Sequence, residues 1–146
     1  MLKIIMLIAF LTASIYNFRL GYSNEIRIKI KATFLIITGA YSILILIMAG
    51  KKDGSLFGLI LALSTIILLV SIILSRGVRK DGFVVMNGAS PLLLLIKISD
   101  VKDKSLEDNK AGNKLTIKAR GNYYVESFKK KDMKKLEEFI ADLQKE

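Results

Sequence analysis

Between Gly54 and Ser75 the chain carries no charged residue and is built mostly of Leu, Ile and Val. At roughly 1.5 Å per helical residue such a run crosses the ~30 Å hydrocarbon core of a bilayer, where a helix satisfies its own backbone hydrogen bonds. Two further uncharged runs precede it: Ile4 to Phe18, between Lys3 and Arg19, and Ala32 to Gly50, between Lys31 and Lys51. The pattern predicts three transmembrane helices at about 4–18, 32–50 and 54–75.

The remainder of the chain has a different character. Residues 1–75 hold nine charged side chains, whereas residues 76–146 hold 16 Lys and Arg against 11 Asp and Glu. A mean hydropathy of +0.43 averages these two halves. The expected organisation is a transmembrane domain, 1–75, followed by a small water-exposed domain, 76–146. About 70 residues is near the lower limit for a self-sufficient core, so this domain is expected to lean on the lipid surface or on a partner.

Lys and Arg next to membrane spans are retained on the cytoplasmic side. The first loop carries Arg19, Arg27, Lys29 and Lys31 against Glu25; the second has Lys51, Lys52 and Asp53; the third span is followed by Arg76, Arg79 and Lys80. An outside N-terminus puts both strongly basic segments inside, which predicts a multi-pass protein of the cell membrane with a cytoplasmic C-terminal domain. The short first run also fits a signal peptide, but Leu11 and Ala13 make a poor cleavage site, and the retained span is preferred. Gly58 with Ala62, and Ala9 with Ala13, are small-xxx-small pairs that allow close helix approach, either within the protein or to another subunit, and such pairs also occur as background. None of the three runs contains Asp, Glu, Lys, Arg or His, which argues against a pump or secondary transporter built from this chain alone.

In the segment Glu25 to Lys31 three Ile alternate with charged residues. This period fits a strand added to the C-terminal domain, and it also fits a basic stop-transfer flank; the flank is the preferred reading. After Lys80 short apolar segments alternate with turns. Phe83 to Met86 and Leu92 to Ile98 read as strands around the turn Asn87 to Pro91, the second continuing through Val101 toward Leu106. Leu115 to Ala119 and Tyr123 to Phe128 follow turns at Asp108–Asn113 and Gly121–Asn122. Met133, Leu136, Phe139, Ile140 and Leu143 then recur at helical spacing. The fold class expected is α+β: an antiparallel meander or partial barrel closed by a C-terminal amphipathic helix.

The strand from Gly82-Phe83, the turn at Gly88, the run Ile96-Lys97-Ile98-Ser99-Asp100-Val101, the hairpin to Leu115-Thr116-Ile117 and the terminal helix with Leu136 and Phe139 resemble the bacterial pleckstrin-homology-like domains, which occur attached to two or three membrane spans. The resemblance covers Arg76 to Glu146. Where Ile98 stands, family members often carry an aromatic. The resemblance implies an adaptor module of about seven strands, here shortened and completed by Ile26 to Ile30.

Without His or Cys the chain has no Ser-His or Cys-His nucleophile pair, no thiolate chemistry and no zinc or haem ligation by those residues. Asp100, Asp103, Glu107 and Asp108 lack the spacing of a calcium loop and have lysines among them. No cofactor, metal site or small-molecule substrate is predicted, and no enzyme. The leading functional cluster is Lys129, Lys130, Lys131, Lys134 and Lys135, which offers a complement to anionic lipid headgroups or serves as a solvated face. No nucleic-acid motif accompanies the pI near 9.8. The expected function is a non-catalytic membrane protein whose cytoplasmic module binds membrane lipids or a protein partner, with self-association included. The alternative is an immunity or accessory subunit acting in the membrane with a toxin, bacteriocin or transporter.

Overall fold

The computed structural model describes residues 1–52, 54–109 and 112–142. Three long apolar helices lead: α1 (Leu2–Tyr22), α2 (Ala32–Lys52) and α3 (Leu56–Leu74), each long and apolar enough to cross a membrane. α1 is six residues longer than the uncharged run it contains, because Lys3 and Arg19 lie within its first and last turns and do not end it. α3 starts where Ser55 accepts a hydrogen bond from the Gly58 amide at 3.0 Å.

Between and after the helices come β1 (Ile26–Arg27), β2 (Gly77–Arg79), β3 (Gly82–Met86), β4 (Leu93–Lys97), β5 (Val101–Asn109), β6 (Gly112–Ala119) and β7 (Asn122–Phe128), then helix α4 (Met133–Asp142). They form two antiparallel sheets, in the orders β1-β2-β3-β4 and β5-β6-β7, and the sheets do not close into a barrel. A 3-10 turn at Ile98–Asp100 divides what the apolar pattern presents as one long strand. Leu143, Asp53, Lys110 and Ala111 lie outside the described residues.

The loop between α1 and α2 corrects the sequence reading. Ile26 and Arg27 pair with Val78 and Gly77, and the Lys29 amide donates to the Ser127 carbonyl of β7 at 2.6 Å. Ile26–Arg27 is therefore a short strand, so the segment is more than a basic flank, and it bridges the edges of both sheets. Its backbone hydrogen bonds settle the matter, since Ile26 and Ile28 also enter the core. Among the described residues there are seven strands, β1 from this loop and β2 at Gly77–Arg79 being too short to show a period.

Burial on two faces explains the composition of β3 and β4. Phe83, Val85 and Ile96 face a core shared with Leu115, Ile117, Phe128 and, from α4, Leu136. The alternate residues Val84 and Leu93 face the opposite way, onto Leu68 and Ile72 of α3 and Phe10 and Ala13 of α1. A strand covered on both faces loses polar alternation and reads as an apolar run, as Leu92 to Ile96 does. Each such side chain contributes about 2 kcal/mol. α4 lies over the first core as a lid: Phe139 meets Phe83 edge-on at 5.6 Å, and Lys104 Nζ donates to the Ile140 carbonyl at 3.0 Å.

α1 and α3 run in the same direction and touch most closely at their C-terminal ends. A Cβ on Gly21 would stand 2.4 Å from the Ser75 Cα, closer than atoms can pack. At the same level Asn17, fully buried, donates from Nδ2 to the Pro91 carbonyl at 2.9 Å and to Ser71 Oγ at 3.2 Å. Its Oδ1 accepts from the Leu93 amide at 3.0 Å. One carboxamide thus joins α1, α3 and the β3–β4 loop. Just beyond the end of α1, Asn24 Nδ2 donates to the Ser75 carbonyl at 2.9 Å and satisfies the end of α3.

Two stability predictions follow from this junction. Asn17→Ala leaves the Leu93 amide and the Pro91 carbonyl without their partner and should cost about 2 kcal/mol, read as a lower unfolding midpoint of the detergent-solubilised protein. Gly21→Ala should cost a similar amount, roughly 1–3 kcal/mol, by forcing α1 from α3. An unchanged midpoint in either variant would mean that the helices do not meet there.

Candidate functional site

The cationic residues converge where the three helices end and the sheets begin. α2 starts at Ala32 and α3 ends at Leu74, so both termini lie beside β7. At that junction a cavity of about 300 Å³ is walled by Lys29 and Lys31 from the α1–α2 loop, Phe34 from α2, Ile73 from α3, Arg76 just beyond it, and Lys114 and Glu126 from β6 and β7. Four cations surround one carboxylate.

That carboxylate is not exposed. In β7 the inward positions are Glu126 and Phe128, with Ser127 between them half-buried and Val125 before them exposed. Arg76 grips Glu126 with both Nε and Nη2, at 3.1 and 2.6 Å to Oε1 and a further contact to Oε2. Burial raises the Glu126 carboxyl above its ordinary range, and the Arg76 hydrogen bond and charge pull it back without cancelling the shift. The pair ties α3 to the second sheet at a desolvation cost that its attraction only partly offsets.

The five lysines singled out by the sequence, Lys129, Lys130, Lys131, Lys134 and Lys135, are all exposed, in the 3-10 turn after β7 and the first turn of α4. The Ser127–Lys29 backbone bond holds the start of this cluster next to the basic α1–α2 loop, and Lys135 faces Glu25 across a shallow cleft floored by Ile26 and Val78. Two basic segments a hundred residues apart thereby share one side of the molecule.

Of the proposed helix-contact residues, Gly58 and Ala62 are buried on α3, Ala13 packs against the cluster of Leu68 and Ile72, and Ala9 is exposed. Asp100 engages Arg120 at 2.7 Å, and Asp103 accepts from the Lys104 amide at 2.8 Å. Among the described residues the acidic side chains form no group of three placed to hold a metal ion.

Sequence reasoning passed over Arg76, Lys114, Glu126 and Asn17. The available signal for Glu126 was a carboxylate at an inward strand position, two residues from Phe128. Nothing in sequence marks Lys31 and Lys114 as neighbours. Comparisons with protein-family models, curated proteins and solved structures find no match to this chain.

The ion pair gives a pH-dependent prediction. A carboxyl whose folded value is raised contributes stability that is full below its unfolded value, near 4.5, and is lost as pH rises through the folded value. Arg76→Met removes the opposing cation and should deepen that loss, costing roughly 3 kcal/mol at neutral pH and recovering on acidification. The double variant Arg76→Met/Glu126→Leu should restore most of the stability and abolish the trend. Equal pH profiles for wild type and Arg76→Met, followed by thermal unfolding, would refute the assignment.

Proposed function

We infer that this chain is a non-catalytic, three-span membrane protein that holds a small pleckstrin-homology-like module against the cytoplasmic face, where its basic surface binds anionic headgroups or a protein partner. The observation that carries this reading is the convergence of the basic residues at the helix ends: Lys29, Lys31, Arg76 and Lys114 line one cavity there, with Lys129 to Lys131 beginning beside it. Lys and Arg at that level meet the phosphates of a negative leaflet, each worth about 1 kcal/mol. The pleckstrin-like reading draws support from a four-stranded and a three-stranded antiparallel sheet with a C-terminal helix over their core. It implies an adaptor role by analogy of fold.

A partner within the membrane is favoured by a separate observation. α2 has no buried residue along its 21 positions, whereas α3 buries seven. Gly58 and Ala62 are already covered inside the chain, so an accessory or immunity subunit docking in the bilayer would use α2.

Compartment-sensitive reporters fused after Lys52 and after Lys80 test the reading in cells. The expected outcome is a cytoplasmic signal after Lys80 only. A cytoplasmic signal after Lys52, with none after Lys80, would overturn the cytoplasmic module and leave the α2 partner as the better account.

A further inference from the structure

The cavity at the helix–sheet junction has features that a merely charged face lacks. It is concave, and its walls divide by chemistry. Lys31 and Lys114 supply positive charge, Arg76 being paired with Glu126, while Phe34 and Ile73 supply an apolar side. Phe34 is the third residue of α2 and Ile73 the last but one of α3, so the apolar side lies within the terminal turns of the helices, with the cations beyond their ends. α2 also directs its positive dipole end at this level and has no acidic residue in its first turn to neutralise it.

Among the described residues the wall has one carboxylate, Glu126, which is already gripped through both oxygens by Arg76, so it does not neutralise the lysines. Lys114 has a loose competitor, Glu107, at 4.0 Å. A volume of about 300 Å³ is at the small end for a ligand site and suits one phosphodiester headgroup, not a whole lipid. The remainder of such a molecule would have to leave through the apolar side, past the half-exposed Phe34.

The geometry points to a stoichiometric site for one anionic glycerophospholipid of the surrounding leaflet, with its phosphate between Lys31 and Lys114 and its acyl chains running down beside Phe34. This assignment rests on the reading that the three helices span a bilayer, and it deepens that reading: it separates one bound lipid from diffuse attraction by Lys129 to Lys135. The lipid would join the α1–α2 loop, α3 and the second sheet from outside, at the level where Arg76 and Glu126 join them from within.

Native mass spectrometry of the full-length protein in neutral detergent, incubated with phosphatidylglycerol or phosphatidylcholine, tests it. One phosphatidylglycerol per chain should survive, with phosphatidylcholine lost. Lys31→Gln/Lys114→Gln should lower retention roughly tenfold, the effect of losing two charge-assisted contacts. Lys97→Gln/Lys102→Gln, exposed positions that do not line the cavity, should leave it unchanged. All these positions are solvent-accessible, and an unaltered unfolding midpoint confirms folding of each variant. Equal retention of phosphatidylcholine, or full retention by Lys31→Gln/Lys114→Gln, would overturn the site. Displacement of the lipid by an equal concentration of inorganic phosphate would assign the cavity to a free anion and also overturn it. Because retention is measured without a membrane, its loss is distinguishable from a failed topology.

Discussion

The three hydrogen bonds of Asn17 set the depth at which the sheet meets the helices. In an apolar surrounding an unsatisfied carboxamide is costly, so the three partners of Asn17 hold its position and it holds theirs. Leu93 must present its amide and Pro91 its carbonyl to α1 at one level, with Ser71 of α3 completing the set. That register places Val84 and Leu93 on Leu68 and Ile72, and with them the first sheet against the helix pair. The two halves distinguished by composition are thereby one packed structure.

How far this was legible depends on the range of the information. Helices of about twenty residues announce themselves by the absence of charge, and β3, β6 and β7 by short apolar runs between turns. The amphipathic stripe of α4 was equally plain, and Leu136, Phe139 and Ile140 do pack on the core. β1 and β2 were not legible as a pair, because two and three residues are too few for a period and their pairing spans fifty residues of chain. The 3-10 turn at Ile98–Asp100 was hidden for the opposite reason, since the apolar character continues through it.

The candidate site shows the same division. The lysines of 129–135 stood out because they are five in seven positions, yet their surface is open. Lys31, Arg76 and Lys114 come from three elements and meet only through the strand pairing of β6 with β7 and the bond between Lys29 and Ser127. Asn17 shows no signal of its own within an uncharged run, because its role depends on a loop more than seventy residues later. Clustering in sequence identified charge, whereas clustering in space identified enclosure.

The pairing of β1 with β2 has a consequence for the helices that intervene. The chain leaves the sheet after Arg27, descends α2, ascends α3 and must return to Gly77 within one strand spacing, about 4.8 Å, of its departure. Since one helical turn is about 5.4 Å, a turn added to α2 or to α3 alone would carry β2 past its partner, while a turn added to both would not. The 21 residues of α2 and the 19 of α3 are therefore a matched pair. The sheet acts as a gauge of hairpin length, so insertions and deletions in these two helices are tolerable only when they compensate each other.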